Sequence, residues 1–116
     1  MTDEDKEMAN FVNMTPHPIN LNDGQVFEPC GKVLHVPTVY NAPEDGIVGN
    51  MEVDAGNLEL PEQVEGTIYI VSLITAYAIK QVCPERNDFV VPATGHPDCV
   101  RNEKGFIQSV PFLSRV

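Results

Sequence analysis

The sequence predicts an α+β domain: a mostly antiparallel sheet, curled toward a partial barrel, with one helix packed on it. Three observations carry this expectation. Thr67-Ile68-Tyr69-Ile70-Val71 is a β-branched and aromatic run too apolar for a surface strand, which places it at the centre of a sheet. It leads directly into residues 72–82, SLITAYAIKQV, the one segment with convincing helical spacing. On either side lie short alternating segments broken by turn signals such as Asn22-Asp23-Gly24 and Asn102-Glu103-Lys104-Gly105.

In chain order, residues 1–9 are polar, acidic and without period, so a disordered acidic arm is expected there and a single α+β domain over residues 10–116. Residues 18–28 read as a hairpin, with Ile19 and Leu21 answered by Val26 and Phe27 across the Asn-Asp-Gly turn. Lys32–Val36 is a strand candidate that Pro37 ends. Residues 41–66 mix glycines, prolines and acids, with weak strand signals at Ile47–Val48 and Met51–Val53; a long loop or irregular meander is expected. Ser72 is placed to cap the helix, in which Leu73, Ala76, Tyr77 and Lys80 share a face, and Pro84 stops it. Asp88–Val91 is a short strand, and Cys99–Arg101 with Phe106–Val110 forms a second hairpin. The antiparallel edge over residues 106–112 is the surface expected to support a homo-oligomer.

The chain has 116 residues and a net charge of -10, which excludes nonspecific binding to nucleic acid or to an anionic membrane. No apolar run is long enough to span a bilayer and the opening is acidic, so a cytoplasmic protein is expected. The charge is unevenly spread. Residues 1–65 hold thirteen acids and two bases, -11, whereas residues 66–116 sum to +1 and contain all three arginines. An anion site is therefore expected from the second part of the chain, unless its arginines are ordinary surface charges. Three widely spaced cysteines, Cys30, Cys83 and Cys99, fit reduced thiols. His96 and Cys99 make one short-spaced pair where structural zinc sites usually show two, so no metal and no cofactor are expected.

Candidate ligand-binding residues are Thr15, His17, Ser72, Arg86, Asp88 and Arg101. His17 lies between Pro16 and Pro18 and is held in extended chain, either for ligand contact or as a surface residue beside a protected edge. Ser72 stands where a strand meets a helix amino terminus, a place that suits anions and equally suits simple capping. Arg86 and Arg101 could clamp a phosphate or carboxylate, with Asp88 reading a ribose or base edge; the alternative is ion pairing of Arg86 with Asp88 or Glu85 and of Arg101 with Glu103. No phosphate-binding loop, GxGxxG, H-E-x-x-H or zinc-deaminase signature occurs, and no spacing selects a thiol–histidine pair, so no catalytic residue is predicted.

Asn13-Met14-Thr15-Pro16-His17-Pro18-Ile19, Gly66 to Ser72, Arg86-Asn87-Asp88 followed by Pro92, and Val100 to Ile107 together resemble a group of small phage, prophage and actinobacterial proteins. That group shares an N-[LM]-T-P-H opening and a V-R-[DN]-E-x-G-x-I ending, and the resemblance spans most of residues 10–110. It implies a mobile-element origin and an accessory, anti-defence role in a host cytoplasm, and it transfers no catalytic residue. The acidic amino-terminal arm and the expanded 41–65 loop depart from the pattern and point to a partner peculiar to this chain.

Two functions follow as expectations. In the first, the protein sequesters a small anionic, nucleotide-like host ligand without turning it over. In the second, it is an acidic inhibitor or nucleic-acid mimic that blocks a basic surface of a host defence protein through Glu44, Asp45, Glu52, Asp54 and Glu59. The resemblance falls on the Thr-Pro-His and arginine segments, which ranks sequestration first.

Overall fold

A computed structural model describes residues 9–116 as ten short strands and one α-helix. The acidic arm expected over residues 1–9 lies, Ala9 excepted, outside the described residues. The principal sheet has four strands in the order β1 (Asn10–Asn13), β6 (Thr67–Ile70), β7 (Phe89–Pro92), β10 (Leu113–Ser114). Asn10 to Asn13 run parallel to Thr67 to Ile70, and Tyr69 and Ile70 pair in parallel with Phe89 and Val90. Only β10 is antiparallel, with Leu113 opposite Pro92.

This corrects the expected mostly antiparallel sheet: two of the three pairings in the core are parallel. The physical reason is the helix α1 (Leu73–Val82), which carries the chain from the end of β6 back to the start of β7, a crossover that only parallel neighbours need. The antiparallel pairings sit in three two-stranded hairpins: β2 (Ile19–Asn20) with β3 (Val26–Phe27), β4 (Thr38–Asn41) with β5 (Asn50–Val53), and β8 (Val100–Arg101) with β9 (Ile107–Ser109). Among the described residues the sheets are open, joined by isolated bridges such as Leu21 with Val110, and no barrel closes.

Tyr69, Ile70 and Val71 are all buried, so the central strand is covered on both faces, as its composition predicts. On one face α1 and the flanking segments enclose Met14, Leu34, Tyr69, Val71, Ala76, Ile79, Phe89 and Val91, with Val12, Leu60 and Val116 at the margin. The helix presents Thr75, Ala76, Ala78 and Ile79 to this core and leaves Leu73, Ile74 and Tyr77 exposed. The packed stripe is thus rotated from the one the spacing predicts: small alanines let the helix backbone approach the sheet, and the larger residues stand outside. On the opposite face, Asn13 and Ile70 are buried beneath the β2–β3 hairpin, where Phe11 meets Phe27 at 5.0 Å between ring centroids.

Ser72 caps α1 as expected, its Oγ accepting from the Thr75 amide at 3.3 Å. No strand forms over Lys32–Val36; Leu34 is buried instead and its amide donates to the Met14 carbonyl at 3.0 Å. The 106–112 segment is paired on one side by β8 and is tied to β2 through the Val110 amide and the Asn20 carbonyl at 2.9 Å. Residues 41–66, expected as a long loop or irregular meander with weak strand signals, form β5 over the Met51–Val53 signal and so close the β4–β5 hairpin, whereas Ile47–Val48 form no strand.

Candidate functional site

Parallel register decides where the six candidate residues fall. Asn13 is level with Ile70, and Ile70 with Val90, so the carboxyl ends of β1, β6 and β7 share one edge of the sheet. Thr15 and His17 follow β1 and Ser72 follows β6, which places three of the six at that edge; Arg101 joins them through a hydrogen bond from Nη2 to the Thr94 carbonyl, just after β7, at 3.2 Å. Arg86 and Asp88 precede β7 and therefore lie at the other edge. The fold does not bring the six together.

Several of these side chains are occupied within the protein. Asn13, buried at 1% exposure, forms a polar knot: Nδ2 donates to the carbonyls of His17 and Phe27 at 2.8 Å each, while Oδ1 accepts from the Thr15 amide at 2.9 Å and hydroxyl at 2.7 Å. Thr15 is thus spent on holding the turn that carries the exposed His17. Arg86 grips Asp88 with two parallel bonds, Nε to Oδ1 at 2.9 Å and Nη2 to Oδ2 at 2.8 Å, and Nη2 also donates to the Pro61 carbonyl. The guanidinium lies 4.8 Å from the Phe89 ring centroid, and the bond to Asp88 raises its already high pKa. The arginine–aspartate ion pair anticipated as an alternative is therefore formed, and it stitches the 61–62 strap to the sheet. Among the described residues no cluster of three His, Cys, Asp or Glu side chains could hold a metal, and no helix is long and apolar enough to cross a membrane.

The β4–β5 hairpin is built differently. Its pairs run Thr38–Val53, Val39–Glu52, Tyr40–Met51 and Asn41–Asn50. Alternation sends Tyr40 and Met51 to one face and Val39 and Glu52 to the other, yet among the described residues neither face is covered. Tyr40 is 74% exposed, Met51 62%, and at the tip Ile47 is 83% and Val48 73% exposed. A Cβ added at Gly49 would collide with the Asn41 main-chain oxygen, so the tip depends on glycine there. Asp45 Oδ1 accepts from the amides of Ile47 at 2.9 Å and Val48 at 3.1 Å, which fixes the turn and holds this carboxyl below its ordinary pKa.

The tip borders an open hollow of about 420 Å³ lined by Ala42, Pro43, Glu44, Asp45, Val48, Gly49 and Asn50. No Lys, Arg or His occurs between Thr38 and Asp54, whereas Glu44, Asp45, Glu52 and Asp54 do. Four of the five acids singled out in the sequence thus sit on or at the base of one projecting element; Asp54 accepts from Asn57 Nδ2 at 2.7 Å, and Glu59 is exposed on the strand-free return to β6. Sequence reasoning did not single out Tyr40, Ile47, Val48 and Met51. The signal available was a set of large apolar residues inside an acidic, Gly- and Pro-rich stretch with no core partner. No family model, curated protein or solved structure matches the chain.

Proposed function

We propose that the protein acts by non-catalytic binding of another protein, using the β4–β5 hairpin as an arm that engages a basic surface beside an apolar one. The observation that carries this reading is the joint exposure of Tyr40, Ile47, Val48 and Met51 on an element that also concentrates Glu44, Asp45 and Glu52. A two-stranded hairpin alone is at best marginally stable in water, and full burial of each such side chain is worth about 1.5–3 kcal/mol. A partner surface supplies the cover that the described residues do not. The hollow between Glu44 and Asp45 suits an arginine or lysine side chain, since the Asp45 Oδ2 oxygen has no hydrogen bond among the described residues. The resemblance to phage and prophage proteins supports a host defence protein as the partner class.

Sequestration of a small nucleotide-like ligand by Thr15, His17, Ser72, Arg86, Asp88 and Arg101 receives less support. It needs a composite site, and these residues lie at two edges of the sheet, with Thr15 and Asp88 engaged internally.

The test places a photo-activatable cross-linker at Tyr40 or Ile47, and at Ser114 on the edge strand β10 as a control. The expected result is one dominant protein adduct from the hairpin positions, lost in a Glu44→Lys, Asp45→Lys background. Equal labelling from Ser114, or adducts unaffected by charge reversal, would contradict the proposal.

A further inference from the structure

We propose that the cleft between α1 and the segment after β10 binds a tetrahedral oxyanion, the chemistry of inorganic phosphate or of a terminal phosphoryl group. The cleft has a volume of about 190 Å³ and is lined by Lys80, Arg86 and Arg115 over a floor of Ile79, Phe89 and Val116. Three of the seven Lys and Arg residues in a chain of net charge -10 thus face one small cavity. Asp88, the carboxylate bonded into this cluster, is fully taken up by Arg86. Outside the Arg86–Asp88 pair, Lys80 and Arg115 remain as the cationic groups lining the cleft, which suits an anion.

The donors are positioned rather than spent. Arg115 Nε donates to the Asn87 carbonyl at 3.0 Å, which anchors its guanidinium while Nη1 and Nη2 have no hydrogen bond among the described residues. Lys80 Nζ donates to the main-chain oxygen of Val116 at 2.6 Å, leaving two of its three N–H groups. Arg86 keeps Nη1 beyond its bonds to Asp88 and Pro61. The apolar floor lowers the local dielectric and strengthens each of these interactions. Size sets the ligand class, since the volume falls short of the ~300 Å³ at which pockets begin to enclose larger organic ligands. A phosphate group fits inside, and anything attached to it extends into solvent. This site uses none of the hairpin residues, so it stands or falls separately from the protein-binding reading.

The test is an NMR titration of the full chain with inorganic phosphate, and in a second arm with a nucleoside monophosphate, each at constant ionic strength against chloride. The expected result is a saturating response at Lys80, Asn87 and Arg115, weakened at least tenfold in Lys80→Gln, Arg115→Gln, two exposed positions, in a variant whose amide spectrum away from the cleft stays that of the folded protein. Tighter binding of the monophosphate assigns the site to a phosphoryl group on a larger ligand, and equal binding to free phosphate; both support it. A linear, non-saturating response, or one identical in the double variant, overturns it.

Discussion

Along β6, Tyr69, Ile70 and Val71 are buried in succession beneath the helix on one side and the β2–β3 hairpin on the other; along β4, all four residues are exposed. Both segments are rich in β-branched and aromatic residues, so strand propensity does not separate them. What separates them is cover. The β6 segment is followed by a helix that folds back onto it, whereas the β4–β5 turn is followed by a polar return, residues 54–66, that covers neither face. The difference is that among the described residues one part of this chain covers itself and the other does not; on the function proposed above, a partner finishes the second.

The largest effect expected in the sheet comes from Arg86→Ala. It leaves Asp88, 7% exposed, without its partner, and about 3 kcal/mol of stability should be lost by denaturant unfolding. A loss under 1 kcal/mol would mean that the pair is solvated and that the strap through Pro61 is not held by it. Asn13→Ala comes next, at about 2 kcal/mol, because the Thr15 amide and the Phe27 carbonyl lose their Asn13 partner in a buried site, while the Thr15 hydroxyl keeps its bond to the His17 carbonyl at 3.0 Å. Ser72→Ala should cost about 1 kcal/mol, the ordinary value of a helix amino-terminal cap, with Ser72→Asp recovering most of it. In the arm, by contrast, Tyr40→Ser with Met51→Ser should change unfolding stability by less than about 0.5 kcal/mol while removing the cross-linked partner. A large loss of stability in that double variant would show that the hairpin supports the fold.

The smallest effect concerns pH. The pKa of Asp45 is lower in the folded turn than its ordinary value of 3.8, so the bonds to Ile47 and Val48 are at full strength above that value and weaken as pH falls through the lowered one. Amide shifts of Ile47 and Val48 should therefore titrate together at a pH below the ordinary aspartate range; titration at the ordinary value would show that the turn does not hold the carboxylate. Asp23, whose carboxylate accepts from the amide and side chain of Gln25, should behave likewise in the β2–β3 turn.

Much of this architecture was legible because local chemistry and tertiary cover agreed. The β6 run, the helix with its Ser72 cap and Pro84 stop, and the hairpins at Gly24 and Gly105, both with positive φ, each announce themselves within a few residues. Parallel pairing was not legible, because it depends on which distant strands flank β6, and β1 reaches it across more than fifty residues of intervening chain. The helix face was misjudged for a related reason: an alternation of alanines with larger residues lets either side pack, and the sheet chose the alanines. Among the site residues, chain order could suggest that Arg86 and Asp88 pair, but not that they face away from Ser72 and Thr15. The convergence of Lys80 and Arg115, thirty-five positions apart in the chain, was likewise beyond reach of spacing.

The claim on which the account rests is that the β4–β5 hairpin is an independent arm rather than part of the packed body. Native-state hydrogen exchange on the free protein tests it most directly. The account predicts that the cross-strand amides of Thr38–Asn41 and Asn50–Val53 exchange through local opening, far faster than those of Ile68–Ile70 and Val90–Val91, which should require global unfolding. Equal protection in the two regions would contradict it, because the hairpin would then open only with the core and would have no separate surface to offer.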